Sequence, residues 1–359
     1  MQVVNLSEKT VSDAEAVVRD RFPESAVAIL RKVMRNPARR LYDGCGDIAY
    51  DDGRPICFQA FVLRRLAWCG DECWGHVGGM TVLASGAPVE ALIDVRAASI
   101  HHQVEYRIGF GNTQCAATEK MAVKAKATLG PESCCWYRYR PVRWLDFIWY
   151  CFSRKVLKRP IPNWSKFDSV GAKPFRRVDG SRVVERVMSF DARFDDFWSR
   201  YVQENEGLTC SRTVEELEWI FGEEVRDGRA VVLGLFEDGK LNGFLVLKDE
   251  GTSGRRWQLM DWVALGNDAG RLDALLAAGC RFLKRRTPAM LVESIGFPTF
   301  IQPVLKRHLP FRRYAGNNFF SYGYRGRKTT GKAFADACEA VIDTPKSWFF
   351  GPYDGDMCM

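Results

Sequence analysis

Asp47-Ile-Ala-Tyr-Asp51, Asp52-Gly53, Ile56-Cys-Phe-Gln-Ala-Phe-Val-Leu63, Gly70-Asp71, the run Trp74 to Leu83, and Ala84-Ser-Gly-Ala-Pro88 follow one another within the stretch Asp47–Leu92. This stretch decides the fold. Asp-Gly between apolar runs signals a tight hairpin, because both central residues of that turn need positive φ. Gly70-Asp71 marks a second turn, so three strands run as an antiparallel meander. Ala84–Pro88 then opens a helix. A strand that ends in a glycine-containing loop at a helix N-terminus is where backbone N–H groups hold phosphates.

Working outward, a short strand is expected near Val3-Val4, with helices over Ser12–Arg21 and Glu24–Arg35. Ala14, Val18 and Phe22 fit one helical face, and Val27, Leu30, Val33 and Met34 another. Asn36-Pro37 ends the second helix, since the residue before proline is pushed out of the α region. After the meander come a helix over Val89–Ser99, a short strand Tyr106–Phe110, a Lys-rich helix over Ala116–Ala127, and a final strand within Cys134–Tyr139. Residues 153–180 are basic, hold Pro160, Pro162 and Pro174, lack periodicity and read as a linker.

From about Arg182 the same order starts again. Val183–Val187 is a strand, Phe190–Asn205 and Thr213–Phe221 are helices, and Ala230–Phe236 reaches a second Asp-Gly pair, Asp238-Gly239. Phe244–Lys248, Trp257–Leu265, a helix Arg271–Lys284, a strand Leu291–Ile295, a helix Thr299–His308 and a strand Phe319–Tyr324 complete it. Asp52-Gly53 registers on Asp238-Gly239, and Leu83 on Leu265, with offsets that agree to within one loop. The repeat lies in pattern and is invisible as a motif. The expected organisation is two domains, 1–152 and 181–330, a linker 153–180, and a tail 331–359 docked on the body. A chain of 359 residues exceeds what one core usually serves.

The net charge of +8, from 52 Lys and Arg against 44 Asp and Glu, is a mild excess. It fits a basic surface, or a site for phosphates, CoA or RNA. The twelve cysteines form no Cys-x-x-Cys pair, and His76, His101, His102 and His308 do not fall at metal-ligand spacing beside them. No metal is expected, and reduced thiols in a cytoplasmic protein are. No signal-peptide pattern opens the sequence. No apolar run approaches the ~20 residues of a spanning helix. Trp144–Phe152, flanked by Arg138, Arg140, Arg143, Arg154, Lys155, Lys158 and Arg159, fits packing between domains, with contact to a membrane surface or stacking on RNA through 136–159 as alternatives.

This order of elements, twice in one chain, resembles the GNAT superfamily of N-acetyltransferases in tandem form. The resemblance is carried by Gly78-Gly-Met-Thr-Val-Leu83, the loop Ala84–Pro88 with its helix, and Phe110-Gly-Asn-Thr113. It implies an α/β fold (a mixed α+β sheet flanked by helices) in two domains, and transfer of an acetyl or other acyl group from acyl-CoA to an amine of a small molecule or peptide. It also implies that Met80, Thr81, Val82 and Leu83 lie along the pantetheine arm and that Ser85, Gly86 and Ala87 hold the pyrophosphate. The loop carries one glycine and no Arg or Lys, and Pro88 lacks an N–H. Its counterpart in the second copy, Leu265–Gly270, contains Asp268, which repels a pyrophosphate. The helix after the fifth strand lacks the tyrosine that serves the family as acid.

Asn112 matches a polar position of the family, and candidates for the base are His76 and Glu105 in the first copy and Asp261 and Glu293 in the second. In some tandem members the chain end approaches the cleft, which brings Asp354 and Asp356 into view. Two other readings stay open: a Fem-like transferase that takes its acyl group from aminoacyl-tRNA, and a catalytically inactive tandem protein that binds or scaffolds.

Overall fold

The computed structural model describes residues 1–23, 26–38, 45–68, 70–95, 108–113, 128–129, 136–158, 170–171, 174–250, 253–314, 318–323, 349 and 351–354. The opening stretch is a meander of β2 (Gly46–Asp51), β3 (Arg54–Trp68) and β4 (Asp71–Leu83), with β1 (Gln2–Asn5) on its outer edge. Asp52 and Gly53 both take positive φ, 47° and 77°, as the hairpin turn requires. Asp238 and Gly239 repeat this at 50° and 75° between β11 (Ala230–Glu237) and β12 (Lys240–Asp249). Helices α1 (Val11–Arg21) and α2 (Ala26–Met34) cover the first sheet through Ala14, Val17 and Val18 and through Ala26, Leu30 and Val33. Phe22 and Val27, expected on those faces, are exposed. A helical segment, α3 (90–95), follows the loop after β4.

The first sheet continues through β5 (Ile108–Thr113) and ends at β6 (Thr128–Leu129). The expected closing strand is absent from it. Strand β7 (Trp136–Pro141) leaves for the second sheet, where it lies antiparallel between β14 (Leu291–Ser294) and β15 (Phe311–Tyr314). In return β16 (Asn318–Gly323), expected to close the second copy, lies between β5 and β6. The sheets therefore run β1-β2-β3-β4-β5-β16-β6 and β15-β7-β14-β13-β12-β11-β9-β8, each completed by a strand of the other half. This corrects the expectation that 1–152 and 181–330 close separately. Local pattern specifies that a segment is a strand; it says nothing of which of two similar edges receives it.

The described residues of 153–180 include regular structure at both ends of the stretch. Helix α4 (Trp144–Lys155) runs into it, and β8 (Arg176–Asp179) pairs with β9 (Arg182–Val187) around Gly180 at φ 61°. The signal is Asp179-Gly180 itself, the same hairpin dipeptide used elsewhere in the chain.

The second sheet adds β13 (Arg256–Ala264) and is covered by α5 (Ala192–Glu204), α6 (Val214–Arg226), α7 (Ala269–Arg286) and the short α8 (Gln302–His308). Helix α5 starts where Asp191 accepts the Arg193 N–H, and buries Phe194, Phe197, Trp198, Tyr201 and Val202 at helical spacing. Strands β11 to β13 are buried on both faces, so they read as continuous apolar runs.

The largest core lies here, and it takes in Val62, Leu66 and Ala67 of β3 and Phe349 and Tyr353 of the tail. The halves are joined again where β10 (Thr209–Cys210) pairs with Ala67 and Leu66 at the end of β3. Across the same junction Arg64 donates to Glu216 at 2.9 Å and to the Tyr353 carbonyl at 3.1 Å. Among the described residues no helix is long and apolar enough to cross a membrane.

Candidate functional site

Each sheet opens at one place, between its two parallel strands. In the first, among the described residues, β4 and β5 pair at His76 with Gly109 and Val77 with Phe110. In the second, β13 and β14 pair from Arg256 with Leu291 to Gln258 with Glu293. Just beyond these points both strands carry a bulge against their other neighbour. It lies between the Phe61–Gly78 and Gln59–Thr81 pairs in the first sheet, and between the Leu247–Leu259 and Val246–Asp261 pairs in the second. An extra residue bends a strand and increases its twist. The parallel partners part there, and among the described residues one edge of Gly78–Leu83 and of Leu259–Ala264 has no ladder. Backbone N–H and C=O groups on such an edge need partners from elsewhere.

In the second sheet the chain's own tail occupies the parting. The turn Pro352–Asp354 packs along β13, and Gly351 lies so close to the Phe297 ring, in the loop after β14, that a Cβ there would meet it at 2.9 Å. Phe349 N–H donates to the Leu208 carbonyl at 2.9 Å, and the Tyr353 hydroxyl donates to Ser211 O. Burial raises the Tyr353 phenol well above its ordinary range.

Asp261, the first paired residue after the bulge, is 0% exposed and forms a two-pronged salt bridge with Arg212, also 0% exposed, at 3.0 to 3.2 Å. Arg212 further donates to Thr209 Oγ1 and the Cys210 carbonyl, both at 2.6 Å, and its guanidinium stacks 4.6 Å from the Tyr353 ring. A carboxylate held on every side in this way cannot reach an amine. The helix N-terminus beside it is likewise self-satisfied: Asp268 accepts the Arg271 N–H at 2.7 Å. Asp268 thus occupies the position from which it was expected to repel a pyrophosphate.

In the first sheet the residue after the bulge is Thr81, half-buried and neutral, and no ladder partner stands on the β5 side of Gly78–Leu83 among the described residues. Val82 joins the core under this sheet, and Arg21 donates to the Leu83 carbonyl at 3.2 Å. The loop that follows is partly spoken for. Ala84 N–H bonds Ile56 O, Ala87 N–H bonds Ala84 O, and Ser85 N–H donates to Asp20 Oδ2 at 2.6 Å. That last bond, with a second from the Ser85 hydroxyl, holds the Asp20 carboxyl below its ordinary range. Gly86, at φ 77° and with open space around its Cα, has the one N–H of residues 84–87 without a partner among the described residues. The free edge of β4 thus suits an amide-bearing arm such as pantetheine. The loop as it stands holds one carboxylate where a pyrophosphate was expected.

His76, Met80 and Asn112 are placed by backbone: His76 at the throat of the parting, Met80 in the bulge, and Asn112 on β5 opposite Phe319 of β16. Glu105, helix 116–127 and Asp356 lie outside the described residues. Glu293 belongs to a different place. It is buried on β14, takes the Arg256 guanidinium and, at 3.2 Å, that of Arg313, and borders a pocket of about 280 Å³ with Tyr139, Phe147 and Tyr150. Burial, reinforced by a hydrogen bond with Glu293, pushes the Glu250 carboxyl up to about 7. Both Glu293 oxygens are engaged by arginines, Arg256 on one and Arg313 on the other. The residues that sequence reasoning missed are Asp20, Arg212, Glu250 and Tyr353. Each acts through a partner distant in sequence, and none sits in a local motif.

No family model and no curated protein sequence matches the chain. Solved structures do match. A GCN5-related N-acetyltransferase from Anabaena variabilis aligns with a TM-score of 0.55 at 13% identity, over 89% of this chain and 72% of that one. N-myristoyltransferase from Saccharomyces cerevisiae, solved with bound myristoyl-CoA, gives 0.54 at 13% identity, over 92% and 80%. A GCN5-related N-acetyltransferase from Kribbella flavida gives 0.54 at 11% identity, over 89% and 71%. The fold is that of the GNAT superfamily. At this identity the likeness speaks for the fold alone.

Proposed function

We propose that the chain is an N-acyltransferase whose first half takes an acyl group from acyl-CoA and passes it to an amine, while the second half serves as folded support. One observation carries this reading. Of two partings built on the same strand order, the second is occupied by Phe349 and the turn Pro352–Asp354, and the first has no ladder partner along Gly78–Leu83 among the described residues. The pantetheine amides would extend the ladder from that free edge, and a strand N–H would polarise the thioester carbonyl. The amine nitrogen attacks that carbon, the C–N bond forms as the C–S bond breaks, and the thiolate leaves. The proton shed by the amine goes to a base at the throat, where His76 stands, directly or through water. Asn112 on the opposite strand would orient the acceptor. The myristoyl-CoA held by the yeast relative supports acyl-CoA as the donor class, long chains included. None of the three relatives speaks for transfer RNA.

A second reading, a binding protein without catalysis, is favoured by Asp20 on the Ser85 N–H, which competes with a pyrophosphate for the loop. Isothermal titration with acetyl-CoA and with longer acyl-CoAs tests the donor, and release of free CoA thiol in the presence of amines separates transfer from binding alone. Saturable binding that weakens when Gly86→Asp places a carboxylate at the loop supports the transferase. An absence of binding at millimolar donor removes it.

A further inference from the structure

Helix α4 does not pack between the halves, which is where its composition pointed. Leu145, Ile148, Trp149 and Val156 are 83%, 55%, 56% and 61% exposed, and Trp144 and Phe152 are also on the surface. Positions 145, 148, 149, 152 and 156 recur at i, i+3, i+4, i+7 and i+11, so they form one stripe along the helix and its C-terminal extension. The opposite side is anchored. Phe147 meets Tyr139 at 6.1 Å, Ser153 is buried, and Asp146, the one acidic residue of the helix, is paired with Arg255 at 3.0 Å. The stripe is extended at its N-terminal end by Phe311, which Trp144 meets edge-on at 5.6 Å.

Charge fixes the occupant. Arg143 precedes the stripe, and Arg154, Lys155 and Lys158 follow it, all exposed. No carboxylate of the helix is left to oppose them. A stripe of Trp, Leu, Ile and Phe bordered by cations, on a helix of 12 residues, is too short to span a bilayer and is built to lie in its headgroup region. We propose that α4 is a membrane-surface anchor, which seats the protein on anionic lipid with Leu145, Ile148, Trp149 and Phe152 among the acyl-chain ends and the four cations at the phosphates. Two tryptophans suit this depth, since indole is apolar with one polar edge. The anchor is argued from α4 alone and does not depend on the proposed acyl transfer.

The test is co-sedimentation of the full chain with phosphatidylcholine vesicles, plain or with about one third phosphatidylglycerol, at roughly 0.05 M and 0.5 M salt. The proposal predicts binding to the anionic vesicles that falls at high salt, and a loss of about tenfold or more in Leu145→Glu/Trp149→Glu. An Arg154→Gln/Lys155→Gln variant should keep the weak binding to plain vesicles and lose the preference for anionic ones. Both pairs lie on the surface, so thermal melts should match the parent. No binding to anionic vesicles overturns the proposal, and so does equal binding by parent and Leu145→Glu/Trp149→Glu. Concentration-dependent dimers abolished by Leu145→Glu, without vesicle binding, would assign the stripe to a second copy of the chain and overturn it as well.

Discussion

The two partings start from the same strand order and the same kind of bulge, and they end in opposite chemical states. After the bulge the first sheet presents Thr81, half-buried and neutral; the second presents Asp261, locked to Arg212 under Tyr353. The backbone makes an opening in each case. What becomes of it depends on one side chain beyond the bulge and on whether another piece of chain can reach the gap. Phe349 and Tyr353 enlarge the core of the second, and the turn Pro352–Asp354 packs along β13. In the first, no ladder partner stands along Gly78–Leu83 among the described residues, and the proposed function uses that edge for the acyl donor.

The sharpest way to break the comparison is to unlock the filled side. Arg212→Ala leaves Asp261 buried without its partner, and a loss of about 3–5 kcal/mol in urea unfolding is expected. The matching change in the first half, Thr81→Val, should cost less than about 1 kcal/mol. Equal losses would mean that the two positions are not in different states.

Acid should loosen the seam between the halves next. Burial works to raise the Glu224 carboxyl, but Lys248 at 2.8 Å and Lys32 at 3.3 Å outweigh it and bring it to about 2. A depressed carboxyl gives stability that is complete above its unfolded value and is lost as pH falls toward the folded one. The contribution, of order 2–3 kcal/mol, should fade between about pH 4 and about 2. Lys32→Met should shrink that decline; an unchanged acid profile would contradict the assignment.

A smaller effect should appear at the cradle of the first half. Asp20→Asn removes the charge that Ser85 N–H holds, and acyl-CoA affinity should rise by up to about tenfold. Unchanged affinity would mean that the loop does not hold the pyrophosphate. Smallest is Glu250→Gln. A carboxyl raised to about 7 gives stability that is present when it is protonated and is lost as pH rises toward that value. The variant should therefore gain stability at pH 8 relative to pH 5, by less than about 1 kcal/mol, because Glu250 is partly exposed and screened.

Much of this was legible in the sequence because it is local. Two Asp-Gly turns, the apolar runs around them and the helical faces specify the repeated order, and Asp179-Gly180 specified a third hairpin that the basic, proline-rich stretch around it concealed. The exchange of β7 and β16 was not legible, since either strand satisfies either sheet edge. The filled parting was legible only in part. The tail's aromatics announced docking, but where they dock depends on Arg64, Arg212 and the loop before β10, which no spacing in the tail encodes. Asp20 was invisible for the same reason: a surface carboxylate at the end of a helix looks ordinary until the fold brings Ser85 beside it.

Hydrogen–deuterium exchange in the presence and absence of saturating acyl-CoA, with acetyl and long-chain donors, tests the difference between the two partings most directly. The account predicts that donor slows exchange along Gly78–Gly86 and leaves Leu259–Asn267 unchanged. Protection of Leu259–Asn267, or of neither stretch, would contradict it.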